Sequence, residues 1–236
     1  MPSESCESCE PSDSSGSSAS SHASGRPPCP SFPVDLEYLR AALLKDPGTE
    51  ERIGGHGWDD ENAESVENSR KLVPASIMFP IVLRDDEPHV LFTRRTDHLR
   101  DHPGQICFPG GRADPGDASA ADTAIREVWE ETGISADRVE VIGYLPDRWT
   151  ITGFRITPVV ALVRPPFELK PDAFEVADIF EAPLAFLLDL ANHRVTLVPG
   201  SARSLVSIPY GERNIWGATA GIIHAFSKRL AAGFPR

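Results

Sequence analysis

Long apolar runs are missing: nothing in the 236 residues approaches the ~18 consecutive apolar positions that a membrane-spanning helix needs. The N-terminus lacks a basic stretch followed by an apolar one, so a secretory leader is not indicated and a soluble, cytoplasmic protein is the expectation. Basic charge is short as well. Lys and Arg number 23 against 35 Asp and Glu, for a net charge of −12. A chain that negative is repelled by phosphate backbones and anionic lipid, so neither nucleic acid nor membrane is an expected partner. Cysteine is scarce and badly placed for a framework: three of the four, Cys6, Cys9 and Cys29, fall in the first 31 residues. Cys6-Glu7-Ser8-Cys9 is formally half of a zinc site, but no second pair completes it. Cys107, the fourth, sits in an apolar strand and reads as a small buried hydrophobe.

What is there divides the chain in three. Residues 1–31 are rich in Ser, Pro, Gly and Glu, with little to bury, and are expected to be a disordered tail. Residues 32–72 read as a short helix, 35–46, capped by Asp35 and carrying Leu36, Leu39 and Leu43 on one side, followed by a polar wrapping loop. The domain proper is expected over 73–236. Apolar and β-branched runs predict strands at 75–84, 89–95, 138–145, 154–164, 179–181, 193–199 and 204–210. Pro80 inside the first of them suggests an edge or a bulge. Helices are expected near 183–190, with Pro183 at N1, and over 217–232, with Gly233 as its stop.

The chemistry concentrates around residues 110–134. Gly110-Gly111 makes a tight loop, and a helix follows with Ser119 as N-cap, Asp122 at the capping-box position and Gly133 as the terminating glycine. Glu127, Glu130 and Glu131 stand at i, i+3 and i+4, so their carboxylates share one side of that helix, while Ala121, Ala124, Ile125 and Val128 fall on another. Three glutamates alone would be a solvated acidic face. Crowded like charges nevertheless cost stability unless a cation sits among them, and all-oxygen ligation suits Mg²⁺ or Mn²⁺. Just upstream, Arg95, Arg100 and His102 form a positive patch in an otherwise negative chain. An arginine fork suits phosphate oxygens, although surface pairing with Asp97 and Asp101 is an equally natural use.

The acidic stretch resembles the Nudix box: a glycine, five residues, an acid, seven residues, then Arg-Glu-aliphatic-x-Glu-Glu-x-Gly-aliphatic. Gly111, Asp117, Arg126, Glu127, Val128, Glu130, Glu131, Gly133 and Ile134 fill its slots, with Asp for the usual Glu and eight residues before Arg126. Both departures are familiar in the branch that hydrolyses coenzyme A. Leu91, Thr93, Arg95, Arg100, Gly104 and Phe108-Pro109-Gly110-Gly111 are similar to the signature preceding the box in that branch, with Thr96 in place of Ser or Ala. The approach to the last helix, Pro209-Tyr210 and Ile215 to Ala220, resembles the same branch.

The resemblance implies an α/β Nudix fold, a mixed β-sheet sandwiched between α-helices, and metal-dependent cleavage of coenzyme A or its acyl derivatives to 3′,5′-ADP and 4′-phosphopantetheine. By this resemblance Glu127, Glu131 and Glu130 would hold Mg²⁺ or Mn²⁺. Arg126 would hold Glu130 in place, and Arg95, Arg100 and His102, with the Gly110-Gly111 loop, would orient phosphates. A carboxylate of this set, or Glu175 from a distal loop, would take a proton from water. Trp149 or Phe154 offers a stacking face, although an aromatic beside a strand is more often core. Two alternatives remain at this point: another nucleoside diphosphate derivative such as ADP-ribose or NADH, and a non-catalytic ligand sensor. Self-association is neither required nor excluded by the sequence.

Overall fold

Alternation sorts the two faces of the central strands. In β1 (Val73–Leu83), Met78 and Val82 point one way and Phe79 and Ile81 the other, as period-2 geometry requires. β7 (Phe154–Val163) repeats the split, with Val159, Ala161 and Val163 opposite Val160 and Leu162. The two strands run parallel in unbroken register from Val73↔Phe154 to Val82↔Val163. A strand buried on both faces must be apolar throughout, which is how these two read. The computed structural model describes residues 35–47, 72–150, 153–197 and 204–233.

Around this pair the mixed sheet adds β2 (Pro88–Arg95), β3 (Ile106–Cys107), β4 (Gly110–Arg112), β5 (Val139–Tyr144), β6 (Arg148–Trp149) and β8 (Val176–Pro183). Its main path runs β3-β2-β1-β7-β5; β4 pairs with β1, β6 with β7 and β8 with β2. One face is covered by helix α2 (Ala120–Thr132), whose Ala124 and Val128 pack on Met78, Val82, Leu91 and Val159. The other face is covered by α1 (Leu36–Ala42), α3 (Leu184–Leu188) and α4 (Gly217–Ala232), with Leu39, Leu187, Ile222 and Phe226 against Phe79, Phe92 and Leu162. A second, three-stranded antiparallel sheet, β9 (Arg194–Leu197), β10 (Ser204–Tyr210) and β11 (Arg213–Trp216), adds to this layer through Val206, Ile208 and Ile215. Helices on both faces of a mixed sheet make the α/β sandwich expected above. Among the described residues no helix is long and apolar enough to cross a membrane.

Two expectations are corrected. Pro80 lies in the middle of the sheet, aligned with Ala161 of β7, not on an edge. On its other side β1 changes partner, pairing with β4 at 75–77 and with β2 at 81–83, so the missing N–H falls in the gap between two ladders. The first helix ends at Ala42, short of residue 46. Leu43 is extended and Leu44 exchanges two backbone hydrogen bonds with Tyr144, both 2.9 Å, so strand pairing replaces the last turn. The expected tail over 1–31 with Cys6, Cys9 and Cys29, the wrapping loop, and the 198–203 connection lie outside the described residues.

Candidate active site

Helix α2 is built to begin and end where the site needs it. The Ser119 hydroxyl accepts from the Asp122 N–H at 3.2 Å and donates to the Asp122 carboxylate at 2.9 Å, closing the N-terminal turn. At the other end Gly133 turns left-handed, at φ 78°, and its N–H donates to the Trp129 carbonyl. The last two helical carbonyls, those of Glu131 and Thr132, accept from the N–H groups of Asp172 and Lys170 at 3.3 and 2.7 Å. The helix end is thus tied to the loop that carries Glu175.

The glutamates do not share one environment. Glu131 is 5% exposed and turned under the β2–β4 edge. Its two oxygens accept from the Gly110 N–H at 3.4 Å and the Thr93 hydroxyl at 3.3 Å. Burial pushes this carboxyl up to about 8, with the nearby charges of Glu127 and Glu175 adding to the rise, while the Gly110 N–H and Arg95 oppose it. Glu127 is also pushed up by burial; Arg126 opposes the shift, and Glu130 and Glu175 add to it. Its carboxylate lies against the Gly111 backbone, in space that any Cβ at Gly111 would overlap. Glu130 is half exposed, its side chain accessible to 48%.

Arg126 is the organiser of this cluster. Its guanidinium donates to both oxygens of Asp117 at 3.2 and 3.0 Å, to Glu127 and Glu130 at 2.9 Å each, and to the Arg112 carbonyl at 2.9 Å. The link to Glu130 is the i, i+4 contact that the sequence suggested. The fork on Asp117 is not, although the acid slot before the helix was its signal. Asp117 also accepts from the Asp114 N–H and the Thr123 hydroxyl, and these donors, Arg126 first, hold its carboxyl well below the usual carboxylate range.

Of the upstream residues, the structure brings Arg95 to the cluster. Its charge is felt at Glu131, its guanidinium lies against the Cys107 thiol, and its Nε donates to the Asp101 carbonyl at 3.3 Å. Arg100 and His102 are exposed, and among the described residues neither side chain makes a hydrogen bond or ion pair. Gly110 and Gly111 form β4 against β1, and a Cβ at Gly110 would overlap the Ser76 carbonyl. Glu175 is half-buried, close enough for its charge to raise both Glu127 and Glu131. Phe154 lies under the Arg112 guanidinium, 5.0 Å from ring centroid to Cζ, and Trp149 is half-buried in β6. Thr93 and Cys107, whose Oγ1 and Sγ are 3.3 Å apart, belong to the floor of the site; from sequence Thr93 was only a position of the upstream signature and Cys107 only a small buried hydrophobe. The signal for Thr93 was its place between Leu91 and Arg95 on the same face of β2.

Two inward carboxylates and a third further out fit a hard divalent cation that keeps water and phosphate oxygens in its shell. The Gly111 cradle leaves the Glu127 carboxylate room beside the Gly110-Gly111 backbone, which agrees with such a site. The three glutamates do not converge on one point, because Arg126 draws Glu127 and Glu130 towards itself. Among the described residues, three candidate ligand atoms within 4.8 Å of one another occur instead at Asp86 and Glu87, in the β1–β2 turn, and His89, in β2.

The sequence pattern of the NUDIX domain matches residues 75–198. The chain is 41% identical over 158 residues to a protein of Yersinia enterocolitica named as an uncharacterized Nudix hydrolase, NudL, covering 66% of this chain and 80% of that one. The NudL of Escherichia coli K12 is 39% identical over 158 residues, covering 66% and 82%. Among solved structures, a C. elegans Ap4A hydrolase binary complex aligns with 17% identity over 69% of this chain and 100% of that one, at a TM-score of 0.45.

Proposed function

The chain belongs to the Nudix hydrolase family, whose members act on diphosphate linkages, and from that premise we propose that it cleaves the diphosphate of coenzyme A or its acyl derivatives. The products are 3′,5′-ADP and 4′-phosphopantetheine, or its acylated form. The observation that carries this reading is the meeting of two separate stretches at one carboxylate: Thr93 and Arg95, from the strand bearing the coenzyme A signature, both act on Glu131 of the acidic helix.

Nudix hydrolases in general use divalent cations, and here Glu127 and Glu131 would hold Mg²⁺ or Mn²⁺, with Glu130 linked directly or through water. Bound there, the cation supplies positive charge for the diphosphate oxygens and for the attacking water. The protein's own groups do the rest. Arg126 holds Glu127 and Glu130 on one nitrogen, Nη1, and is itself fixed to Asp117. Arg95, with the exposed Arg100 and His102, orients the phosphates, and the Gly110-Gly111 backbone, free of side chains, lets them approach. Glu175 accepts the proton as water forms its bond to phosphorus and the bridging P–O bond breaks.

The test is product analysis with coenzyme A, ADP-ribose and NADH, in Mg²⁺, Mn²⁺ or chelator. Release of 3′,5′-ADP from coenzyme A, with metal only and abolished in Glu131→Gln, is the expected result. Preference for ADP-ribose or NADH sinks the substrate assignment, and binding without turnover points to a sensor.

A further inference from the structure

Thr96 stands where the upstream signature usually has Ser or Ala, and its contacts give the difference a consequence. It directly follows β2 and is 8% exposed. Its N–H donates to the Glu175 carbonyl at 3.0 Å, and its hydroxyl donates to the adjacent Phe174 carbonyl at 2.8 Å. Just before it, the β2–β8 register shifts: Arg94 faces Asp178 but Arg95 faces Val176. That slip brings residues 174 and 175 level with Thr96.

The loop is held on its other side as well. Lys170 and Asp172 donate to the last carbonyls of α2, and the Asp172 carbonyl in turn accepts from the N–H groups of Glu175 and Val176 at 3.1 and 2.8 Å. The Asp172 carboxylate accepts from the Phe174 N–H at 2.8 Å. Glu175 is therefore strung between the end of the acidic helix and the end of the signature strand. Among the described residues, the outside side chains that meet residues 172–175 come from one segment: the Thr96 hydroxyl and the His98 ring, edge-on to Phe174 at 4.9 Å.

We propose that Thr96 is a positioning residue, which clamps the 172–175 loop so that the Glu175 carboxylate faces Glu127 and Glu131. The inference rests on the diphosphatase reading of the site for its kinetic consequence, but not for the clamp itself. A threonine suits the task because β-branching restricts χ1 and holds the hydroxyl on its acceptor. Phe174 is 63% exposed, so water reaches this part of the loop if the hydroxyl is lost. The penalty then falls on where Glu175 sits more than on whether the protein folds.

The experiment compares the full chain with Thr96→Val, Thr96→Ser, Glu175→Gln and the double variant Thr96→Val/Glu175→Gln. Steady-state kinetics on coenzyme A with Mn²⁺ are paired with amide hydrogen exchange in metal-free protein. Thr96→Val is expected to lower kcat about tenfold, the scale of one well-placed hydrogen bond, with KM within about twofold. Thr96→Ser restores most of kcat. In the Glu175→Gln background the valine adds less than about twofold, because the carboxylate it would misplace is gone. The Thr96 amide exchanges about tenfold faster in Thr96→Val, while amides within α2 are unchanged. A normal kcat in Thr96→Val, or an equal loss in both backgrounds, overturns the proposal. Should the wild-type chain turn over no diphosphate, the reading of the reaction fails separately. Exchange at Thr96 then decides the clamp: faster exchange in Thr96→Val upholds it, and unchanged exchange overturns it.

Discussion

The Arg126 guanidinium grips the Asp117 carboxylate at two points, Nε to Oδ1 at 3.2 Å and Nη2 to Oδ2 at 3.0 Å. The pair is mostly enclosed, with side chains 24% and 9% exposed. A two-point contact fixes a plane as well as a distance. Arg126 can therefore present its remaining nitrogen, Nη1, to Glu127 and Glu130 in one orientation. An acid outside the helix thus aims two acids within it.

Asp117→Asn keeps the shape and removes the charge, so it is expected to cost about 2 kcal/mol of unfolding free energy, the scale of hydrogen bonds to a charged group. It should also lower kcat about tenfold by loosening Arg126. Because the folded Asp117 carboxyl lies below its ordinary value, its contribution is fully present above the unfolded pKa, near 3.8, and is lost as pH falls below it. Urea melts of both proteins check this: the gap should be constant from pH 6 to pH 8 and narrow below pH ~4. A gap that widens in acid would contradict the assignment.

Gly111, in β4, and Gly116, in the turn that follows, should respond in opposite ways. A Cβ at Gly111 overlaps the Glu127 carboxylate, whereas one at Gly116 meets nothing within 4 Å. Gly111→Ala is expected to displace Glu127 and lower kcat at least about tenfold, and Gly116→Ala to leave both kcat and Tm close to wild type. Parallel kinetics and thermal melts decide it. Equal effects of the two alanines would mean that the loop, not the cradle, governs activity.

The long elements were legible because each is locally over-determined. The α2 helix carries a cap at Ser119, a stop at Gly133 and an apolar face at Ala124 and Val128. β7 is apolar throughout because both its faces are covered. The elements that escaped, β4, β6 and β11, are two to four residues long and exist because a partner strand supplies the ladder. The carboxylates of the site were legible as a cluster, since i, i+3 and i+4 spacing is a local fact. Their unequal fates were not: Glu131 is buried by β2 and β4, and Glu130 is left half in solvent. The hydrogen bonds of Thr93, Thr96 and Asp117 run between segments, which spacing does not encode. Pro80 misled because sequence shows a missing donor but not the gap between two partner strands in which it falls.

Cys107 should be a poor nucleophile despite lying on the floor of the site. Burial, reinforced by the charge of Glu131, pushes its thiol up to about 11, and the Thr93 hydroxyl and Arg95 only partly oppose this. Only the thiolate alkylates, so iodoacetamide at pH 8 is expected to modify Cys107 on the order of a hundredfold more slowly than a free cysteine. Mass spectrometry of the peptide containing Cys107 isolates it from Cys6, Cys9 and Cys29. Labelling at the rate of the free thiol in native protein would show that the floor is open.

Glu131 makes the opposite trade from Asp117, and its pH signature should be inverted. The folded carboxyl is pushed up to about 8 from an ordinary value near 4.5. Below pH 4.5 both folded and unfolded chains hold the proton. Between the two values the unfolded chain has released it while the fold retains it, so unfolding gains as pH rises and stability declines towards pH 8. Metal-free Glu131→Gln removes that charge and should therefore be more stable than wild type at pH 8, by ~1–3 kcal/mol after screening and relaxation, and near it at pH 5. Adding Mn²⁺ should reverse the order, because a ligand that binds only the folded wild type stabilises it by mass action and the glutamine variant gains little. Thermal melts at both pH values, in chelator and in Mn²⁺, read all of this at once. If Mn²⁺ raises the Tm of both proteins equally, Glu131 is not a ligand. If the variant shows the same decline from pH 5 to pH 8 as wild type, the buried charge lies elsewhere. The reversal expected here means that the carboxylate destabilises the empty fold in order to hold a cation, so function and stability are opposed at one oxygen pair.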